Sequence, residues 1–132
     1  MDFLGTAEYQ MDDRNRVGLP PRYRDQFDAP AIMTTSKDPC IAVYTQEGFQ
    51  AAGTELRGRV DDSPSGRRHR RFFFANAYPV PKDGQGRLLI PQKLIDYAGL
   101  KKDVVVIGAG DWFEIWDKAK WEAQPAPQRE EE

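Results

Sequence analysis

Arg16 and Arg87 stand in the same local sequence 71 residues apart, each four positions after an aspartate. Asp12-Asp13-Arg14-Asn15-Arg16-Val17-Gly18-Leu19-Pro20 returns as Asp83-Gly84-Gln85-Gly86-Arg87-Leu88-Leu89-Ile90-Pro91. A planar guanidinium donates two hydrogen bonds at once and matches the O6 and N7 acceptors of guanine in a major groove. One good pair of this kind contributes about 1–3 kcal/mol of discrimination against a wrong base. The aspartate four residues earlier can hold that guanidinium or cap the loop backbone as an Asx turn. Either would aim the arginine before a partner arrives and lower the ordering cost of binding. Gln85 could reach a base edge, whereas Arg14, Arg22 and Lys82 suit phosphate contacts that set register. The same spacing also suits an internal salt bridge that pins a hairpin, and the motif alone does not separate the two readings.

The elements that must hold these loops repeat as well. Tyr44-Thr45 and Phe49 return as Trp116-Asp117 and Trp121 at an offset of 72, so the chain holds two copies of one unit. Each copy reads as strand, loop, strand, short helix, strand, turn, strand, helix. In the second, Tyr78–Val80 leads into the loop and residues 87–90 lead out as a strand. Pro91 suits the first position of a helix, where its missing N–H costs nothing. Gln92–Ala98 follows, and Gly99 is placed to end it. Residues 104–107 are all β-branched and read as a strand buried on both faces. Residues 108–111 read as a turn and 112–116 as a strand, with Asp117 the N-cap of a last helix carrying Trp121.

In the first copy Pro20-Pro21 opens the short helix, and Ala31–Thr35 and Ile41–Tyr44 are strands. Thr45 caps a helix reaching about Leu56 that Gly48 and Gly53 weaken. Residues 58–63 read as a polar linker. A helix from Ser63-Pro64 then carries Arg67, Arg68, Arg70 and Arg71 on a solvated face rather than as a DNA contact, at a subunit interface or in a general positive field, with Phe72, Phe73 and Phe74 supplying the packing. Trp112, Trp116 and Trp121 read as core. The tail from Gln124 should fray.

A core of fewer than about 70 residues is marginal alone, so the two copies should close one barrel-like core around a pseudo-twofold axis. The expected class is α+β, mainly β, with short helices. Residues 5–47 form the first repeat, 48–75 connecting helices and linker, 76–119 the second repeat, and 120–132 a helix end and acidic tail.

Nineteen basic against 21 acidic residues give a net charge of −2, whereas DNA-binding domains are usually basic. Three of those acids are Glu130, Glu131 and Glu132, and without them the balance turns to +1. Phosphates respond to local patches rather than to the total. One or two loops on a near-neutral protomer cannot give nanomolar binding at physiological salt. Repeated loops can, because each later contact forms at an effective concentration set by the assembly.

No apolar run approaches the roughly 20 residues a bilayer span needs. The N-terminus lacks the basic and apolar regions of a signal peptide, and the lone Cys40 cannot form an internal disulfide. These features point to a soluble cytoplasmic protein. His69 is also alone of its kind, and zinc needs a cluster of ligands. Neither Gly84-Gln85-Gly86 nor Gly108-Ala109-Gly110 continues as a nucleotide fingerprint. No metal, cofactor, small-molecule substrate or catalytic activity is expected.

Two Asp-x3-Arg loops that each run on as apolar-x-apolar-Pro, Arg70-Arg71-Phe72-Phe73-Phe74-Ala75 between them, and Val106 to Asp117 at the end together resemble the MraZ family of transcriptional regulators. That family belongs to the AbrB/SpoVT swapped-hairpin class, and the resemblance spans residues 3–121. It implies two tandem swapped-hairpin halves in a bacterial, nucleoid-associated DNA-binding protein that forms homo-oligomeric rings. It also implies repression of the protein's own division and cell-wall gene cluster through short direct repeats upstream, with Arg16 and Arg87 as the key DNA contacts.

The chain departs from the family pattern at three loop positions. Asn15 stands where glycine is usual, Gly18 where a β-branched residue is usual, and Gly84 where a basic residue is common. Asparagine tolerates left-handed backbone. Gly84 removes a phosphate contact that Lys82 could partly replace. Two other classes fit the same fold: an antitoxin-like module whose tail wraps a partner, for which ten residues is short, and a non-enzymatic ring-forming scaffold.

Overall fold

Each copy lends its first strand to the other. In a computed structural model of the chain, which describes residues 2–59 and 63–127, the first copy carries β1 (Thr6–Gln10), β2 (Arg16–Gly18), a 3-10 helix (Pro21–Gln26), β3 (Ala31–Thr35), β4 (Ile41–Tyr44) and α1 (Gln46–Gly58). After α2 (Pro64–Ala75) come β5 (Tyr78–Val80), β6 (Arg87–Leu89), α3 (Gln92–Ala98), β7 (Asp103–Gly108), β8 (Phe113–Asp117) and α4 (Lys118–Glu122). The strand order β1-β7-β8-β4-β3-β5 forms one antiparallel sheet. Thus β1 pairs with β7 of the second copy, and β5 pairs back with β3 of the first.

The remaining strands, β2 and β6, form a separate two-stranded ribbon. Its register is Arg16 opposite Leu89, Val17 opposite Leu88, and Gly18 opposite Arg87. Adding the 71-residue repeat offset turns the first pair into the third, so the pseudo-twofold axis passes through Val17 and Leu88. Two further bonds obey the same relation: Leu19 N donates to Gly86 O at 2.9 Å, and Ile90 N to Asn15 O at 2.8 Å.

Alternation along the strands decides which face meets what. Ala31, Met33, Ile41, Val43, Val104, Val106, Phe113 and Ile115 point to the inner face. There they pack against Val17, Leu88, Leu19 and Ile90 from the ribbon side, against Leu94 and Ala98 of α3, and around Phe3, Tyr23 and Phe27. Sheet and ribbon therefore close around one core drawn from both copies. On the outer face, Ala42 and Tyr44 lie under Phe49 of α1 and Phe73 of α2. Val105, Ile107 and Trp116 lie with buried Cys40 under Trp121. Burial, followed by the charge of Glu114, pushes the Cys40 thiol far above its ordinary range, so it is no nucleophile.

Thr45, Ser63 and Asp117 cap their helices through bonds from Gly48 N, Gly66 N and Lys120 N. Gly53 does not stop α1; it is buried within the helix, where a Cβ would stand 3.5 Å from the Phe74 ring. Several boundaries differ from the sequence expectation. Pro91 precedes α3 as its N-cap rather than forming its first turn. β8 starts at Phe113, leaving Trp112 in the turn, and runs through Asp117. α1 continues to Gly58. Of the three phenylalanines of α2, Phe73 is buried but Phe72 is 50% exposed, because consecutive helical residues point about 100° apart and one face cannot hold all three. The linker expected over 58–63 falls partly outside the described residues, as do the terminal glutamates. No helix among the described residues is long and apolar enough to cross a membrane.

Candidate nucleic-acid interface

The two loops are built alike, bond for bond. Asp12 N donates to Arg16 O at 3.0 Å and Asn15 N to Asp12 O at 3.1 Å; Asp83 N donates to Arg87 O at 2.9 Å and Gly86 N to Asp83 O at 3.0 Å. The aspartate side chain then takes both roles open to it. Oδ1 of Asp12 accepts the backbone N–H of Arg14 at 3.0 Å and of Arg16 at 2.8 Å. Oδ1 of Asp83 accepts those of Gln85 and Arg87, each at 2.9 Å. Oδ2 meanwhile holds the arginine, with Arg16 Nε at 2.7 Å and Arg87 Nε at 2.9 Å. Because the carboxylate occupies the Nε edge, the terminal nitrogens point away from it as an end-on fork, although on Arg87 one of them, Nη1, also lies 3.8 Å from Asp12 Oδ2.

Each turn needs one left-handed residue. Asn15 supplies it at φ 62° and Gly86 at φ 73°. Asn15 is steadied by its Nδ2, which donates to Gln92 Oε1 at 3.3 Å. Gly86 lies against Arg24, whose Nε is 2.6 Å from where a Cβ would stand. Gly86→Ala therefore brings both left-handed strain and a clash. Urea denaturation should show a loss of roughly 1–2 kcal/mol, the usual cost of left-handed backbone with a side chain.

The ribbon brings Arg16 and Arg87 to one face, opposite the buried Val17 and Leu88, since directly paired and next-but-one residues share a side. Asp12 Oδ2 also lies 3.8 Å from Arg87 Nη1, so one carboxylate stands between the two guanidiniums. The spacing of the motif carried no sign of this cross-loop contact. Arg14 and Gln85, which occupy equivalent positions, are exposed at the two loop tips.

The structure places the other candidates elsewhere. Lys82 Nζ donates to Arg24 O at 2.8 Å and lies 3.7 Å from Asp28, which ties it to the end of the 3-10 helix. Arg22 Nη2 donates to Leu4 O at 2.7 Å, beside the N-terminal segment. Arg24 is the basic residue that sequence reasoning left unassigned: its Nε reaches Leu19 O at 3.3 Å and its side chain flanks the second loop. Its counterpart at the repeat offset is Ile95, so the first loop has no equivalent.

Backbone bonds from Arg16 and Arg87 hold the Asp12 and Asp83 carboxyls below the ordinary aspartate range, with burial opposing and the arginine side chains assisting. A depressed folded pKa contributes order that is present above the unfolded value of about 3.9 and is lost as pH falls through the lower folded value. The loops should therefore stay anchored across about pH 5–8. Carboxyl NMR titration should place both midpoints below about 3.9; a midpoint above it would mean the bonds are not made in solution. His69 adds no contrary step near neutrality. Burial, then Lys37 and Arg59, pushes its imidazole down, so it stays uncharged there.

Residues 3–62 and again 73–132 match one family model, described as "MraZ protein, putative antitoxin-like". The chain is 39% identical over 121 residues to a protein of Salinispora arenicola named transcriptional regulator MraZ, across 92% of this chain and 85% of that one. It is 40% identical to the protein of that name from Acetivibrio thermocellus, with the same coverage. Against the one from Salinispora tropica it is 37% identical, across 98% of this chain and 91% of that one.

Proposed function

The chain belongs to the MraZ family, and from that premise we propose that it is a non-enzymatic, DNA-binding transcriptional regulator whose arginine loops read base edges in the major groove. The observation that carries this reading is the pair of identically anchored arginines on one face of one ribbon. An arginine held at its Nε edge has already lost much of its rotamer freedom, so less ordering is paid when a guanine is met. The interposed Asp12 offsets part of the repulsion between two neighbouring cations, which suits neighbouring base pairs within a single groove.

In this reading Arg16 and Arg87 contact bases, Gln85 reaches a base edge, and Asp12 and Asp83 orient the arginines. Arg14, Arg22 and Lys82 serve phosphates, the last two after releasing the carbonyls they now hold. Arg24 joins them beside the second loop. The operator is a set of short direct repeats upstream of the protein's own gene, read by a homo-oligomeric ring that acts as a repressor at the nucleoid in the cytoplasm. The protomer's net charge of −2 supports assembly: a single near-neutral unit lacks the field for tight binding, and evenly spaced repeats supply it.

Fluorescence anisotropy with the DNA just upstream of the gene tests this, using a scrambled competitor and several salt concentrations. Tight binding that resists the competitor, with log K falling linearly as log salt rises, is the expected result. Weak binding that is equally good to scrambled DNA would leave a protein-binding scaffold as the better account.

A further inference from the structure

We propose that Leu89 is a specificity-determining residue that reads the C5 methyl of a thymine next to the guanine contacted by Arg16. This rests on the DNA-reading function above. The exposed face of the ribbon has four positions: Arg16, Gly18, Arg87 and Leu89. The arginines lie on one diagonal; glycine and leucine occupy the other and are counterparts at the repeat offset. The side of an antiparallel ribbon turned away from the core ordinarily carries polar residues. Leu89 is nonetheless 57% exposed, while its neighbour Leu88 is 2% exposed against the core.

Single exposed leucines are common and need no explanation of their own. What sets Leu89 apart is its place. Leu4, Phe72 and Tyr97 are also exposed, but Leu89 alone of these sits on the arginine ribbon. It stands directly opposite Arg16 and two residues beyond Arg87 on the same face.

The pseudo-twofold corner is chemically different. Gly18 offers no side chain, and the Tyr9 ring fills the space, with Cε1 3.0 Å from where a Cβ would stand. One corner is therefore an open aliphatic group and the other is closed by the protein's own tyrosine. Thymine's methyl is the apolar group that base edges present in the major groove. Paired side chains across a ribbon start about 5 Å apart, between one and two of the steps of about 3.4 Å that separate successive bases on one strand. If Arg16 meets one base, Leu89 meets the adjoining step. A reading face with unlike corners does not recognise an inverted copy of its own site equally well, which gives each protomer a direction along the DNA.

The test scans the upstream duplex by replacing one thymine at a time with deoxyuridine, which removes the C5 methyl alone. One thymine per repeat, beside a guanine whose 7-deaza replacement also weakens binding, should lower wild-type affinity about fourfold, the factor expected for one buried methylene-sized group. Its pseudo-twofold mate should show no such effect. In Leu89→Ala the uracil penalty should vanish, with the salt slope and melting temperature unchanged; Leu89→Met, which keeps an apolar contact, should retain it. A Leu89→Ala protein with the full uracil penalty, or a wild type with none, overturns the assignment of Leu89 and leaves the arginine reading intact. A wild type that treats upstream and scrambled DNA alike overturns both.

Discussion

Arg16→Ala is expected to abolish specific DNA binding while leaving the fold in place. The side chain is 26% exposed and makes its bond to Asp12 at the edge of the loop, where an ion pair stabilises the folded chain little. Asp12 keeps its bonds from Arg14 N and Arg16 N after the truncation, so the turn survives. What is lost is one bidentate base contact, roughly 5- to 150-fold in affinity for each engaged protomer. In an assembly that meets several repeats, these factors multiply.

Arg16→Lys separates reading from charge. Lysine preserves the positive charge but not the planar fork, so specificity should fall nearly as far as with alanine while the salt slope is kept. Anisotropy against upstream and scrambled duplexes measures both, with circular dichroism as the check on folding. If Arg16→Ala bound the upstream duplex as wild type does, the loop would be a structural salt bridge only, the other reading that the motif allowed.

Phe113→Ala is expected to remove a large share of the stability of the whole chain rather than of its second half alone. Phe113 is 1% exposed and contacts three aromatic rings from the N-terminal segment and the first copy: Phe3 at 5.5 Å between centroids, Tyr23 at 5.3 Å and Phe27 at 5.9 Å. Truncating a buried phenylalanine costs about 3–5 kcal/mol, against a typical total of about 5–15 kcal/mol for a domain. The melting temperature should fall on the order of 10–20 °C. The fluorophores Trp112, Trp116 and Trp121 all lie in the second copy, whereas far-ultraviolet circular dichroism reports both. In wild type and variant the two probes should show one coincident transition. Separate transitions would mean that the copies fold as independent cores, contrary to the shared interior.

The local features of the molecule were legible because they depend on residues one to four positions apart. The offset of 71 residues marked both loops, and the aspartate-first spacing announced a carboxylate within reach of its own arginine. Thr45 and Asp117 were readable as helix caps, and the β-branched run at 104–107 as a strand covered on both sides. Asn15 at a left-handed position followed from what asparagine tolerates.

Contacts between distant segments were not legible from the residues themselves. Alternation tells a strand which side chains face inward but not which strand lies beside it. β1 beside β7 of the other copy and β1 beside β3 of its own would satisfy the same pattern, and only the resemblance to a swapped-hairpin family implied the exchange. The three-dimensional packing decided that Asp12 stands between both arginines, that the ammonium of Lys82 is captured by Arg24 O, and that Leu89 faces solvent while Tyr9 closes the opposite corner. Sequence alone thus determined the two Asp-x3-Arg loops and the bonds each aspartate makes within its own turn, since hydrogen-bond geometry within a turn is local. Tertiary structure alone decided how two such loops share one face, because that depends on a core that neither copy can close by itself.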